Sequence, residues 1–416
     1  MPPPTPPIRR SALLAALCAC GLLAACGGGG GTKLIGGSPA PPSNSGGGIE
    51  PQPGAPPTGL KLGFPALATK NTTRVAGADP VADAAGVALA VFPSSAAGTH
   101  PRAVTIAPTD DWQAAIASAV LTAAPIHAPV LLSGSSSLPA ASAAALKVLA
   151  PTGSGATGGA QVIRIGAVPR IGGMRSASIA GKDPYALAAA IDRFASAASG
   201  KPSTDVVIAS GNDPAYAMPA AGWAAESGDP VLFVSSGDVP AATRQALLSH
   251  QKPRIYVLGP ASVIHANVLH QLRKYGPVKR VGGGDPIANA VAFAAYRDPP
   301  CVRGQACAHV PGSFGWAIRS PGHGYVLINS HRPLDAAAAA PLSASGTYGP
   351  ELLVDIPSKL PTAVTNYFLD YATPAYTQEG PTAAVYNHGW MVGDQRAISV
   401  AVQALVDSLL EAVPQR

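Results

Sequence analysis

A seven-residue pattern occurs three times along this chain and restricts its fold more than any other feature. Arg74-Val-Ala-Gly77-Ala-Asp79-Pro80 returns as Ser178-Ile-Ala-Gly181-Lys-Asp183-Pro184 and again as Arg280-Val-Gly-Gly283-Gly-Asp285-Pro286, with Gly-to-Gly spacings of 104 and 102. A second landmark follows each copy, as Ala128-Pro129-Val-Leu-Leu, Asp229-Pro230-Val-Leu-Phe and Gly349-Pro350-Glu-Leu-Leu. A third comes next, as Leu138-Pro139, Val239-Pro240 and Leu360-Pro361. Three landmarks in one order, three times over, mean three copies of one unit rather than a single long core. The copies fall at 71–172, 173–277 and 278–416, the last being longer between its landmarks.

Each landmark has a physical reading. Gly-x-Asp-Pro is a strand-to-helix junction: Gly permits the turn, Asp accepts from the first free helix N–H groups, and Pro takes the first helical position. The segment after Pro184 is helical, with Leu187, Ile191 and Phe194 on one stripe. Short apolar runs such as Val104–Ala107, Asp205–Ala209 and Tyr325–Ile328 read as buried strands, as do the Pro-Val-Leu-Leu elements. Closing strands Val162–Ile165 and Arg254–Leu258 end at Gly166 and Gly259, and the third is expected to end at Gly389. Buried strands alternating with helices imply parallel sheets covered on both faces. Right-handed crossovers make each copy a doubly wound, flavodoxin- or Rossmann-like α/β unit.

These landmarks resemble the cell-wall-binding repeat type 2 family of Gram-positive surface proteins. The family's Ser-Gly-x-x-Phe-x-Asp-Ala segment has counterparts in Ser210-Gly211-Asn212-Asp213-Pro214-Ala-Tyr216 and in Ser330-His331-Arg332-Pro333-Leu-Asp335. The likeness spans residues 71 to 410. It implies three tandem parallel-sheet repeats in a pseudo-threefold arrangement, and a partner that is an anionic secondary polymer of the wall. The chain departs from the family where Pro80, Pro184 and Pro286 replace an Arg, and where Ala114 and Tyr216 stand in place of the Asp kept as Asp335.

The N-terminus reads as an export signal over residues 1–25. Arg9 and Arg10 precede an apolar run, Leu13 to Ala25, too short to span a bilayer as a mature helix. Leu23-Ala24-Ala25-Cys26 looks like a lipobox, with Cys26 the lipidated first residue, and residues 26–70 form a Gly/Pro/Ser tether. The expected location is extracytoplasmic, lipid-anchored to the membrane and associated with the wall. Cys301 and Cys307 read as a disulfide closing a short loop, the competing reading being half of a zinc site with His309. The net charge of +6 falls to +4 without Arg9 and Arg10, and only 12% of residues are charged. That is a mild bias toward anionic partners without the basic, aromatic-interleaved patch of a nucleic-acid binder.

Arg164, Arg254, Arg280, Arg332 and His331 stand near strand ends and are candidates for polymer contact, as are Arg170 and Lys279, because guanidinium forks bind phosphate and carboxylate. Asp335 either contacts ligand or caps a helix, whereas Asp79, Asp183 and Asp285 read as caps. Trp112, Tyr216, Trp316 and Trp390 are possible sugar platforms, while Trp223 reads as core. No phosphate loop, His-Glu-x-x-His or Gly-x-Ser-x-Gly elbow is present, and no cofactor or metal site is expected. The expectation is therefore a non-catalytic wall-binding lipoprotein. A solute-binding lipoprotein of a transporter and an envelope hydrolase are the alternatives.

Overall fold

The structure is a computed structural model and describes residues 67–298, 313–316, 318, 322–372, 375–376, 386–411 and 413–414. Cys26, Cys301 and Cys307 lie outside the described residues. In chain order the strands are β1 (Leu67–Ala68), β2 (Thr72–Val75), β3 (Val104–Pro108), β4 (Val130–Ser133), β5 (Val162–Ile165), β6 (Ser176–Ile179), β7 (Asp205–Ser210), β8 (Val231–Val234), β9 (Arg254–Leu258), β10 (Val278–Val281), β11 (Gly324–Asn329), β12 (Glu351–Val354), β13 (Ala375–Tyr376), β14 (His388–Val392) and β15 (Val413–Pro414). The helices are α1 (Pro80–Val91), α2 (Trp112–Ser118), α3 (Ala140–Leu149), α4 (Pro184–Ser199), α5 (Pro214–Ala217), α6 (Pro219–Ser227), α7 (Ala241–Ser249), α8 (Ala266–Leu272), α9 (Pro286–Ala294), α10 (Leu334–Ser343), α11 (Thr362–Tyr367) and α12 (Val400–Leu409).

Three four-stranded parallel arrays repeat one order: β4-β3-β5-β6, β8-β7-β9-β10 and β12-β11-β14-β2. This is the 2-1-3-4 succession of flavodoxin-like sheets. One central strand of each array, β3, β7 and β11, is buried along its whole length, as continuous apolar runs require. Each array takes three strands from one repeated segment and its fourth from the next. The third array is completed by β2, from the start of the first segment, in register Gly389↔Thr72 to Val392↔Val75. The three units therefore follow one another cyclically, and β2, from the start of the first segment, closes the ring on the last sheet.

The junctions behave as the landmarks predict. Asp79, Asp183 and Asp285 accept from the N–H groups of Ala82, Ala186 and Ala288 at 2.9, 2.7 and 2.8 Å, with proline at the first helical position each time. The glycine has a different cause from the one expected. A Cβ on Gly77, Gly181 or Gly283 would lie 2.3–2.4 Å from atoms of the following helix, so close approach, not backbone twist, demands Gly there. One boundary also differs: Gly389 lies inside β14, and the turn glycine that matches Gly166 and Gly259 is Gly393, all three with positive φ. The apolar run Trp390-Met391-Val392 simply carries the strand three residues further.

The helices that follow each first strand are rich in alanine and pack against one another. Ala114, Ala115 and Ala117 of α2, Ala220, Ala221, Ala224 and Ala225 of α6, and Ala336 to Ala340 of α10 are all buried. Small side chains let these backbones approach closely. A Cβ on Gly222 of α6 would sit 2.6 Å from the Ser343 hydroxyl of α10 and 3.0 Å from Glu351 Cγ. Trp223 belongs to the core, packed on Phe293, Phe314 and Trp316 with its indole N–H donated to Asp229 at 2.9 Å. Among the described residues no helix is long and apolar enough to cross a membrane.

Candidate functional site

In sheets of this order ligands bind at the carboxyl ends of the strands, where the first and third strands part and the chain direction of succession reverses. That crevice occurs three times here, between β3 and β5, β7 and β9, and β11 and β14. Only the third holds a guanidinium between two buried carboxylates.

There β11 ends at Asn329, whose side chain accepts from the His331 N–H at 2.9 Å and shapes the turn into α10. Ser210 does the same for Asn212 and Asp213 at the end of β7. Asn329 rather than Ser330 is thus the counterpart of Ser210. The turn brings Arg332 between two carboxylates. Its Nε lies 2.8 Å from Asp335 Oδ2, and its Nη2 donates to Asp83, which α1 supplies from the first repeated segment. Asp83 also accepts from the Gly77 N–H at 2.7 Å. Both carboxylates are fully buried, and the Arg332 side chain is 19% exposed.

Two carboxylates and one guanidinium cannot all be charged cheaply out of water. Burial raises the Asp83 carboxyl well above the ordinary range, the Asp335 charge raises it further, and Arg332 opposes both. Burial likewise raises Asp335, against Arg332. Above about pH 7 the pair holds one proton between them, leaving one carboxylate to balance Arg332. Arg332 Nη1 makes no hydrogen bond to the described residues. It sits 3.0 Å from the point where a side chain on Gly393 would begin, so that glycine keeps the guanidinium edge open to the crevice. His331 is exposed beside it.

The other two crevices share the geometry and not the chemistry. The place of Asp83 is taken by Leu187 beside the first and by Asn289 beside the second, and that of Asp335 by Ala114 and Tyr216. Asn289 Nδ2 donates to the Tyr216 carbonyl at 3.1 Å, and the Tyr216 hydroxyl donates to the Gly284 carbonyl at 3.1 Å.

The remaining basic candidates go elsewhere. Arg254 begins β9, at the opposite end of its sheet, and grips both oxygens of Asp205 at 2.5 Å each with Asp298 3.5 Å away. Arg280 donates to the carbonyls of Gly259 and Ile264 at 2.5 and 2.6 Å, tying down the loop after β9. Its counterpart Arg74 does the same for Gly393 and Asp394, and also reaches Gln403. Arg164 donates to Ser178 and, at 3.4 Å, to the Val168 carbonyl. Of the polymer-contact candidates, then, Arg332, His331 and Asp335 come together. Asp83 joins them without having been singled out in the sequence, where four residues after a helix cap it stands at a place held by Leu187 and Asn289 in the other copies. Among the aromatics, Trp112 is half-buried with its ring edge-on to Phe233 at 5.7 Å, and Trp316 is core.

The fold has solved counterparts. Cwp6 from Clostridium difficile superposes with a TM-score of 0.63 at 18% identity, over 82% of this chain and 48% of that one. Cwp8 from the same organism gives a TM-score of 0.60 at 18% identity, over 82% and 52%. The chain thus spans about half the length of these proteins. Comparison with curated proteins yields no match. Residues 178–269, within the second repeated segment, match the model of the family Cell wall binding domain 2 (CWB2).

Proposed function

We propose that this protein is a non-catalytic cell-wall-binding surface protein that recognises an anionic secondary polymer of the wall and is held at the membrane by lipid on Cys26. The observation that carries the reading is the match of residues 178–269 to a cell wall binding domain, within a chain whose three sheets have one topology. At the third crevice the open Nη1 edge of Arg332 and the neighbouring His331 offer donors to an anionic or hydroxyl-rich chain. Asp83 and Asp335 serve to hold that edge. Both are fully buried against Arg332, so neither is exposed to act on a substrate as acid or base. The tether and lipid anchor belong to the same proposal and rest on the signal-like run and Leu23-Ala24-Ala25-Cys26.

Sedimentation of the protein with purified walls tests this. Binding should weaken as salt rises, because the contacts are ionic. It should fall at least tenfold in Arg332→Gln with His331→Ala. Walls stripped of anionic polymer should bind poorly; equal binding to stripped and intact walls would refute the polymer assignment. Clearing of wall substrate in a gel assay would overturn the non-catalytic reading.

A further inference from the structure

The three units differ where the third strand of each sheet connects to, or faces, the fourth. Helix α8 lies between β9 and β10, with Val268 and Leu272 buried, and α12 covers β14 and β2 with Val402 and Val406 buried. Between β5 and β6 the chain runs from Gly166 to Arg175 without a helix. The sheet face there carries a cavity of about 220 Å³ lined by Arg164, Arg170, Ile171, Met174, Ser176 and Ser178.

The arginine at this place has also changed strands. In the other two sheets it sits on the fourth strand, as Arg280 opposite Val257 and Arg74 opposite Met391, and is spent on loop carbonyls. In the first sheet the fourth strand carries Ser178 and the arginine is Arg164 on the third, directly opposite it. Arg164 has one bond to the Ser178 hydroxyl and one of 3.4 Å to a carbonyl, so most of its donors are uncommitted, and its buried Nε has no partner among the described residues. Arg170 is exposed and has no hydrogen bond or ion pair to a described residue. No carboxylate is near in sequence either: between Asp111 and Asp183 there is no Asp or Glu, against Lys147, Arg164, Arg170, Arg175 and Lys182.

We infer that this notch is an oxyanion site for a phosphoryl group. Two guanidinium groups and two serine hydroxyls present more donors than the two oxygens of a carboxylate can accept, and suit a tetrahedral group with three or four oxygens. Ile171 and Met174 give a floor for the carbon chain that carries it. That the phosphoryl group belongs to a wall polymer rests on the function proposed above; the chemistry of the notch does not.

The test is a titration of the full chain with inorganic phosphate at low salt, followed by backbone amide shifts. Saturable shifts are expected in residues 164–178. Arg170→Gln, which removes no contact of the fold, should weaken binding at least fivefold, and Lys274→Gln, at an exposed position of the second repeated segment, should leave it within twofold. Glucuronate should bind at least fivefold more weakly than phosphate. Absence of saturable shifts in 164–178, an unchanged affinity in Arg170→Gln, or equal binding of glucuronate would overturn the inference. Walls that bind while phosphate does not would sink the notch alone. Phosphate bound at 164–178 by a protein that ignores walls would uphold the notch and sink the wall reading.

Discussion

Replacing Arg332 by methionine keeps much of the side chain's bulk and removes the only cation paired with Asp83 and Asp335 among the described residues. In the native protein, above about pH 7, one of these buried carboxyls is ionised against Arg332 while the other keeps its proton. Without the guanidinium the folded state must hold both protons, one more than before. The unfolded chain releases that proton above about pH 3.9, and each further pH unit costs about 1.4 kcal/mol. The sign follows directly: a folded-state carboxyl raised above its unfolded value loses stability as pH rises through the window between them. The loss relative to the native protein should be small near pH 5, where the native pair already holds both protons, and about 2 kcal/mol near pH 8.5, at about 1.4 kcal/mol for each unit above the Asp335 value of about 7. Urea unfolding at both pH values measures it, provided the transitions keep one slope. Adding Asp335→Asn should flatten the pH dependence, since the extra proton is no longer needed. A loss that is the same at both pH values, or one below about 1 kcal/mol near pH 8.5, would refute the shared-proton account.

A second ion pair predicts its own pH profile. His250 and Asp192 meet at 2.9 Å, both almost fully buried, and although burial opposes the imidazolium, Asp192 outweighs it and raises the imidazole. Its contribution is present below the ordinary imidazole value and fades as pH rises past the raised one. His250→Gln should therefore lose about 3 kcal/mol near pH 6, with a difference that narrows in more alkaline buffer when thermal or urea unfolding is followed. Gly222→Ala, which in an exposed helix would stabilise by up to about 1 kcal/mol, should here cost about 1–3 kcal/mol because its methyl meets Ser343 and Glu351 of the third unit. Unfolding midpoints measure that sign reversal, and Ser343→Ala in the same chain should recover part of the loss.

What could be read from the sequence was whatever depends on residues close together along the chain. Asp183 caps the helix that Pro184 begins, and both are adjacent; Val206-Val207-Ile208 are buried in β7 because nothing polar interrupts them. The strand, turn and helix landmarks therefore led to parallel sheets of one design. The charged crevice was half legible. Arg332 and Asp335 share one turn, but Asp83 reaches them from a helix 249 residues away along the chain, and it does so only because β2 joins the sheet of the third unit. The same closure explains why basic residues at like places in the repeats have unlike work. An arginine at the end of a fourth strand meets the loop that follows the third, so Arg74 and Arg280 are consumed by carbonyls, as Arg254 is by Asp205 at the other end of its sheet. Local spacing cannot show that, because the partners belong to a different part of each repeat. A cyclic arrangement in which every sheet borrows its last strand makes a further demand on the chain. Removing residues 67–78 would take the edge strand from the third sheet and uncover the crevice that holds Arg332, leaving the other two crevices with all their strands. Strand β2 is therefore structural for the last repeat and not for its own, and the charged crevice exists only in a closed ring.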